Sequence, residues 1–304
     1  MSINYIFNEQ TECNFCKNKT KENKILGIRL NKSQGLNPKN KIGIAVSVIK
    51  CKKCNLIYSS PQPAPVNIQD HYGIPPENYW KEEYFNVDTS YFSTQIETAK
   101  KIIGFKEGMN ALDIGAGLGK CMISLNNSGF DAYGIEPSIT FRNKAIEKMK
   151  IDPERIKLGM LEEIEYTSDK FDFITFGAVL EHLYDPAEAI EKTLKWLKPN
   201  GVIQIEVPSS KWLIPRFFNF YFYLRGTNYI TNLSPMHEPF HMFEFDLKSF
   251  KELSKSLNFE IVENNYMVGD IYHIPKLFHP ILKWYMKMTK KGMQLTVYLK
   301  KKSN

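Results

Sequence analysis

No run of about 18 uninterrupted apolar residues occurs in the 304-residue sequence, so no membrane-spanning helix is expected. The most apolar stretch, Trp212 to Leu224, is broken by Pro215, Arg216 and Asn219. The N-terminus lacks a basic start followed by an apolar segment, so no secretory signal is expected either. Cysteine is scarce, with five residues, and histidine hardly commoner, with six. Five cysteines without a leader argue against a disulfide framework and for reduced thiols that serve metal or chemistry, and the expected compartment is the cytoplasm. The rest is ordinary for a globular chain: 43% hydrophobic and 24% charged, long enough for one large domain and a small appendage. Charge is unbalanced, with a formal net of +7. That excess favours anionic partners such as nucleotides, phosphorylated sugars, lipid phosphates or nucleic acid, without choosing among them.

Four of the five cysteines form two C-x-x-C pairs, Cys13 with Cys16 and Cys51 with Cys54. A two-residue gap lets both sulfurs of a tight turn face one ion, and two such knuckles supply the tetrahedral thiolate set that zinc prefers. Neither pair opens a helix inside a β-α-β pattern, which sets a redox dithiol aside. Four protein ligands close the shell, so the expected zinc is structural. Residues 25–30 and 42–49 read as strands of a hairpin joined by the polar loop 31–41. A zinc-ribbon-like module over residues 1–60 follows from this. Residues 61–100 read as a Pro-rich, aromatic linker and a lead-in helix; the helix is expected over 90–105, with Phe92, Ile96, Ala99 and Ile103 at helical spacing.

The strongest functional signal lies in residues 111–120. A short apolar strand carrying Asp113 runs into Gly115-Ala116-Gly117-Leu118-Gly119 and then a helix. Glycines there permit close backbone approach to a ligand. The order D-x-G-x-G-x-G differs from the G-x-G-x-x-G of dinucleotide binders. The next strand ends at Glu136, where an acid can hold two ribose hydroxyls. A further apolar strand, 171–176, leads to Gly177-Ala-Val-Leu-Glu-His182. Asp185-Pro-Ala-Glu188 then makes a well-capped helix start. Another strand follows at 202–207. Alternation of this kind builds a doubly wound α/β sheet with its ligand at the carboxyl ends of the strands.

Taken together, LDIGAGLG at 112–119, GIEPS at 134–138, FDFITFGAVLEHLYDP at 171–186 and LKPNGVIQIEVP at 197–208 resemble the class I S-adenosylmethionine-dependent methyltransferases. The resemblance implies a Rossmann-like, seven-stranded, mostly parallel sheet over residues 101–304. It implies S-adenosylmethionine as cofactor, with Asp113, Gly115, Gly117 and Gly119 around its methionine part and Glu136 on the ribose. Met160 or Leu161 would flank the adenine, and Ala116, Pro137, Phe176 and Gly177 complete the expected set. Many members carry an acid where Met160 stands; this chain does not.

Methyl transfer to oxygen or carbon needs an aligned acceptor and a base. Candidate bases lie in His237-Glu238-Pro-Phe-His241, just before a helix capped by Asp246. His241 is favoured over His237, with Glu238 beside them; helix capping and aromatic packing are the alternative roles. Glu181 and His182 occupy a Leu-Glu-His common in the family, where His182 is structural or catalytic. The layout also resembles bacterial methyltransferases of sugar and surface-polysaccharide biosynthesis, which share the paired-cysteine module. Their C-methylating members carry a His-Glu-His segment and an added C-terminal domain, both absent here. O-methylation of a sugar, nucleotide-sugar or glycan-linked group is therefore expected. RNA is the alternative acceptor, although no Asn-Pro-Pro-Tyr motif follows the fourth strand, and a quinone or phenol is a third. Residues 209–245 read as an acceptor lid. Within it, the aromatic stretch 212–224 has three readings: a lid, a buried helix contact, or a peripheral membrane contact.

Overall fold

The computed structural model describes residues 4–33, 35–67, 69, 80–234 and 241–302. The N-terminal part folds around two short sheets. One pairs β1 (Tyr5–Asn8) with β5 (Gln62–Pro65). The other orders β2 (Lys24–Leu30), β3 (Ala45–Lys50) and β4 (Ile57–Ser60) as an antiparallel meander. The second hairpin strand starts at Ala45 rather than at residue 42. Two polar side chains hold the intervening backbone in a loop: Asn31 Oδ1 accepts from Ile44 N (2.7 Å) and Ser33 Oγ from Ile42 N (3.0 Å).

The lead-in helix α1 spans Ser93–Ile103. It starts three residues later than the apolar spacing suggests, because Asp88 Oδ1 accepts from both the amide and the hydroxyl of Ser90 and turns the chain there. The main domain then alternates β6 (Asn110–Ile114), α2 (Lys120–Asn127), β7 (Asp131–Glu136), α3 (Ile139–Glu147), β8 (Ile156–Leu158), β9 (Phe171–Gly177), α4 (Pro186–Trp196) and β10 (Leu197–Pro208). After β10 come α5 (Leu213–Leu224), the two-residue β11 (Phe243–Glu244), α6 (Leu247–Leu253), β12 (Phe259–Met267), α7 (His279–Thr289) and β13 (Gln294–Lys301). The strands form one seven-stranded sheet ordered β8-β7-β6-β9-β10-β13-β12. Only β13 runs antiparallel to its neighbours, so the expected Rossmann-like, mostly parallel sheet is the observed one.

Strand alternation sorts the apolar side chains onto two faces. Ala111, Phe173 and Val202 pack with Ile96 and Ala99 of α1 and Met122 and Leu125 of α2. Leu112, Ile114, Ile174, Phe176, Ile203 and Ile205 face the other way, toward Ile190 and Leu194 of α4 and Phe250 of α6. Asp185 caps α4 by accepting from Ala187 N and Glu188 N, with Pro186 in the first turn.

The N-terminal part shares this second core. Cys13, Phe15, Leu56 and Tyr58 belong to the same cluster, and the Phe15 ring lies 5.6 Å from Phe245 and 5.5 Å from Phe250. β11 extends the small sheet by pairing with β4. On the opposite edge Ile28 N donates to Asn228 O, and Ile230 N donates to Ile28 O. Gly27 makes that approach feasible, since a Cβ there would stand 2.3 Å from the Asn228 carbonyl. The small sheet is thus clamped on both edges by the segment that follows α5.

Candidate active site

The glycine loop leaves β6 with Gly115, Gly117 and Gly119 all at positive φ. A Cβ on Gly115 would meet Val179 at 2.6 Å and one on Gly119 would meet Ile151 at 2.6 Å, so packing selects those two. Gly117 differs: φ is +56° and its missing side chain faces open space. The loop is tied to β7 by Gly115 N and Ala116 N, which both donate to Ile135 O.

Glu136 closes the loop from the next strand. Its Oε2 accepts from Gly117 N (2.7 Å) and its Oε1 from Ser138 N (2.8 Å). An ionised carboxylate offers about four lone-pair sites, so both oxygens keep capacity for a ligand's hydroxyls. Asp113 and Glu136 are each 5% exposed, and neither makes an ion pair among the described residues. Burial pushes Asp113 from its ordinary 3.8 up to about 8, with the Glu136 charge adding and the Cys121 thiol opposing. Burial likewise lifts Glu136 to about 7, against the two amides it accepts from. Two buried acids beside an open glycine cradle fit a cationic, ribose-bearing ligand, and S-adenosylmethionine is both.

The turn after β8 completes this side. Gly159 N donates to Glu136 O, which sets Met160 and the buried Leu161 beside Glu136. Glu163 Oε2 lies 3.4 Å from Met160 N. A carboxylate therefore does reach this turn, from a residue the motif comparison passes over because it stands three positions late. The Pro137 carbonyl is taken by Gln69 Nε2 (2.8 Å). Phe176 is fully buried in the core, so its side chain is turned away and only its backbone is available to a cofactor. Gly177 is exposed at the strand end.

The turn after β9 touches both halves of the site. Val179 closes on Gly115, while Ala178, Glu181 and His182 line a cavity of about 200 Å³. Its wall is largely apolar, with Leu36, Pro208, Trp212, Pro215 and Met293; Glu244 and His241 are among its polar members. Glu181 is 1% exposed, and its Oε2 has no hydrogen-bond partner among the described residues. Its Oε1 stands 3.9 Å from His241 Nε2. Burial pushes this carboxyl up to about 8. The rings of His182 and His241 meet edge to face at 4.8 Å. Ligand atoms of Glu181, His182 and His241 all lie within 4.8 Å of one another, a spacing that a divalent cation would also accept. Of the expected bases, the fold brings His241 to the site; His237 and Glu238 lie outside the described residues. Glu244 is the acid that sequence reading missed. It accepts from Asn232 Nδ2 (2.7 Å) and Leu233 N (2.6 Å), and burial holds it up at about 7.

The four paired cysteines converge. Cys13 Sγ lies 3.5 Å from Cys54 Sγ and Cys16 Sγ 3.4 Å from Cys51 Sγ, with all four sulfurs within 4.8 Å. A tetrahedral ion with metal–sulfur bonds of about 2.3 Å would set its thiolates about 3.8 Å apart, so the donor set fits zinc. Crowded thiols cannot all ionise by themselves: Cys51 is pushed down while Cys13 and Cys54 are pushed up. Cys121 stands apart, buried on α2.

A family described as a methyltransferase domain matches residues 89–264. A ubiquinone biosynthesis O-methyltransferase of Rhodopseudomonas palustris is 28% identical over 122 residues, which are 39% of this chain and 47% of that protein. A demethylmenaquinone methyltransferase of Halalkalibacterium halodurans is 27% identical over 131 residues, 40% of this chain and 52% of that one. The chain spans about half the length of the curated relatives it matches. A solved S-adenosylmethionine-dependent methyltransferase of Methanosarcina mazei is 16% identical, with a TM-score of 0.49, covering 69% of this chain and 98% of that one.

Proposed function

The chain belongs to the methyltransferase-domain family, and we propose that it transfers a methyl group from S-adenosylmethionine to a hydroxyl oxygen of a small acceptor with an apolar, ring-shaped body, such as a quinol or phenol. The observation that carries this reading is the buried Glu181 beside His241 in a largely apolar cavity next to the glycine cradle. The name of one matched relative, a ubiquinone biosynthesis O-methyltransferase, also supports it.

When bound, the cofactor supplies an electrophilic methyl carbon. The chain's own residues do the rest. Gly117 leaves room for close approach, Glu136 accepts from ribose hydroxyls, and Met160 and Leu161 cover the base. His241 takes the proton from the acceptor hydroxyl at Nε2, and Glu181 stabilises the imidazolium that results once its carboxyl, raised by burial to about 8, is ionised. The apolar wall excludes water and orients the ring. In the paired-cysteine module, Cys13, Cys16, Cys51 and Cys54 would hold a structural zinc, with no position left for a substrate.

A second reading keeps the sugar acceptor expected from the sequence. A cleft of about 450 Å³, sharing Trp212 with the acceptor cavity, is lined by Lys24, Lys50, Lys52 and Arg216. Burial and the charges of Arg216 and Lys24 hold the Lys50 ammonium below its usual range, so an anion is welcome there. The phosphates of a nucleotide-linked sugar would meet this cleft.

Calorimetric titration with S-adenosylmethionine, run on the parent and on Gly117→Arg, tests the central claim. Binding by the parent and none by the variant is expected. No binding by a folded parent overturns the reading. Radiolabelled methyl transfer to hydroxylated quinols, nucleotide sugars and RNA then ranks the acceptors.

A further inference from the structure

Helices α5 and α7 present an apolar surface that the catalytic site does not use. Outward on α5 stand Phe217, Phe220, Tyr221, Tyr223 and Leu224; Tyr223 is 73% exposed. Outward on α7 stand Ile281, Trp284, Tyr285 and Met288, with Trp284 62% exposed. The two helices are joined beneath. Ile214 and Phe218 of α5 share a small core with Leu282 and Met286 of α7. Leu213 N also donates to Lys291 O, tying the start of one helix to the end of the other. Exposed aromatics and aliphatics on this scale need a partner in a protein that works in water.

Charge identifies the partner. Residues 207–237 and 271–304 contain no Asp or Glu; Lys211 and Lys283 pair with Asp246 and Asp270 from outside these stretches, while Arg216, Arg225, Lys276 and Lys287 add positive charge. Two copies of this face would oppose cation to cation. An anionic bilayer surface complements it: the apolar side chains enter the acyl boundary, and long basic side chains reach headgroup phosphates. Tyr and Trp suit the same zone because their rings are apolar and their tips polar. A 12-residue α5 is about 18 Å long, too short to cross a hydrocarbon core of about 30 Å.

We propose that α5 and α7 form a docking face that lies in the headgroup region of an anionic lipid bilayer. Trp212 and Pro215, at the start of α5, line the acceptor cavity, so docking sets that cavity beside the lipid and gives a lipid-soluble acceptor a short route in. Docking itself does not depend on the methyl-transfer reading.

Cosedimentation of the full chain with vesicles tests this without cofactor or acceptor. One vesicle set is phosphatidylcholine alone; the other includes phosphatidylglycerol. The parent is expected to pellet with the anionic set and far less with the neutral one. Phe220→Glu combined with Trp284→Glu should lower that partitioning by about tenfold or more while the melting temperature stays unchanged. Lys276→Glu with Lys287→Glu should weaken binding to anionic vesicles alone. A parent that stays in solution with both vesicle sets overturns the proposal, as does an aromatic variant that pellets like the parent. A parent dimer that the aromatic variant dissolves, with no vesicle binding, assigns the face to a second copy and also overturns it.

Discussion

Glu181 Oε1 and His241 Nε2 stand 3.9 Å apart, though one belongs to the turn after β9 and the other precedes β11. The residue after the histidine makes the connection: Met242 N donates to Glu181 O (2.9 Å), and Ser59 N in β4 donates to Met242 O (3.2 Å). The imidazole is thus held between the main sheet and the cysteine module.

If the pair removes the acceptor proton, His241→Ala should lower kcat by about 10²–10⁴-fold with cofactor affinity unchanged. Glu181→Gln should have a smaller effect and displace the pH profile. Single-turnover methyl transfer and calorimetry separate the two terms. A parent rate that appears only with added magnesium would instead assign Glu181, His182 and His241 to a cation.

The buried acids Asp113 and Glu136 predict a pH dependence of stability. Asp113 moves from an ordinary 3.8 to about 8 on folding, and Glu136 from 4.5 to about 7. Both bind protons more tightly in the folded chain. Their contribution is therefore full below about pH 4 and is lost as the pH rises to about 8. The melting temperature of cofactor-free protein should fall from about pH 5 to about pH 8. Asp113→Asn should flatten that fall and melt several degrees above the parent at the alkaline end.

The cysteine cluster predicts about one zinc per chain in purified protein. Cys54→Ser, or strong chelation, should release it. Because β4 anchors Met242, acceptor turnover should drop more steeply than cofactor affinity. Metal analysis beside both assays checks this; equal losses would mean that the whole core depends on the metal.

Arg29 predicts a large stability effect. It is 1% exposed, donates to Tyr229 OH (2.6 Å), Gly35 O, Ser234 Oγ and the Ser33 carbonyl, and raises no charge at the surface. Arg29→Met should remove the donor from the Ser33 carbonyl and the Tyr229 hydroxyl and cost on the order of 3 kcal/mol in chemical denaturation. Segment 228–234, which carries the cavity residues Thr231 and Ser234, should loosen first.

Much of this protein is written locally. The glycine loop, Glu136 at a strand end and the two cysteine pairs were readable because each depends on neighbours in sequence: a positive φ, an amide two residues away, a turn of fixed length. The strand and helix order followed from apolar periodicity for the same reason. Local polar chemistry also misled in places, as where Asn31 and Ser33 delay β3 and Asp88 delays α1.

What only the tertiary structure decided is the cavity beside the glycine loop. Glu244 reads as one acid among many until β11 joins β4 and buries it, and His241 stands out from its neighbours only when Met242 bridges Glu181 and Ser59. The division into a small module and a catalytic domain likewise hides that the two share one core and one clamped sheet. A contact between residues far apart in sequence leaves no spacing to read. It exists because the hydrogen bonds of exposed sheet edges and the apolar faces of Phe15, Phe245 and Phe250 find each other only once the chain is packed.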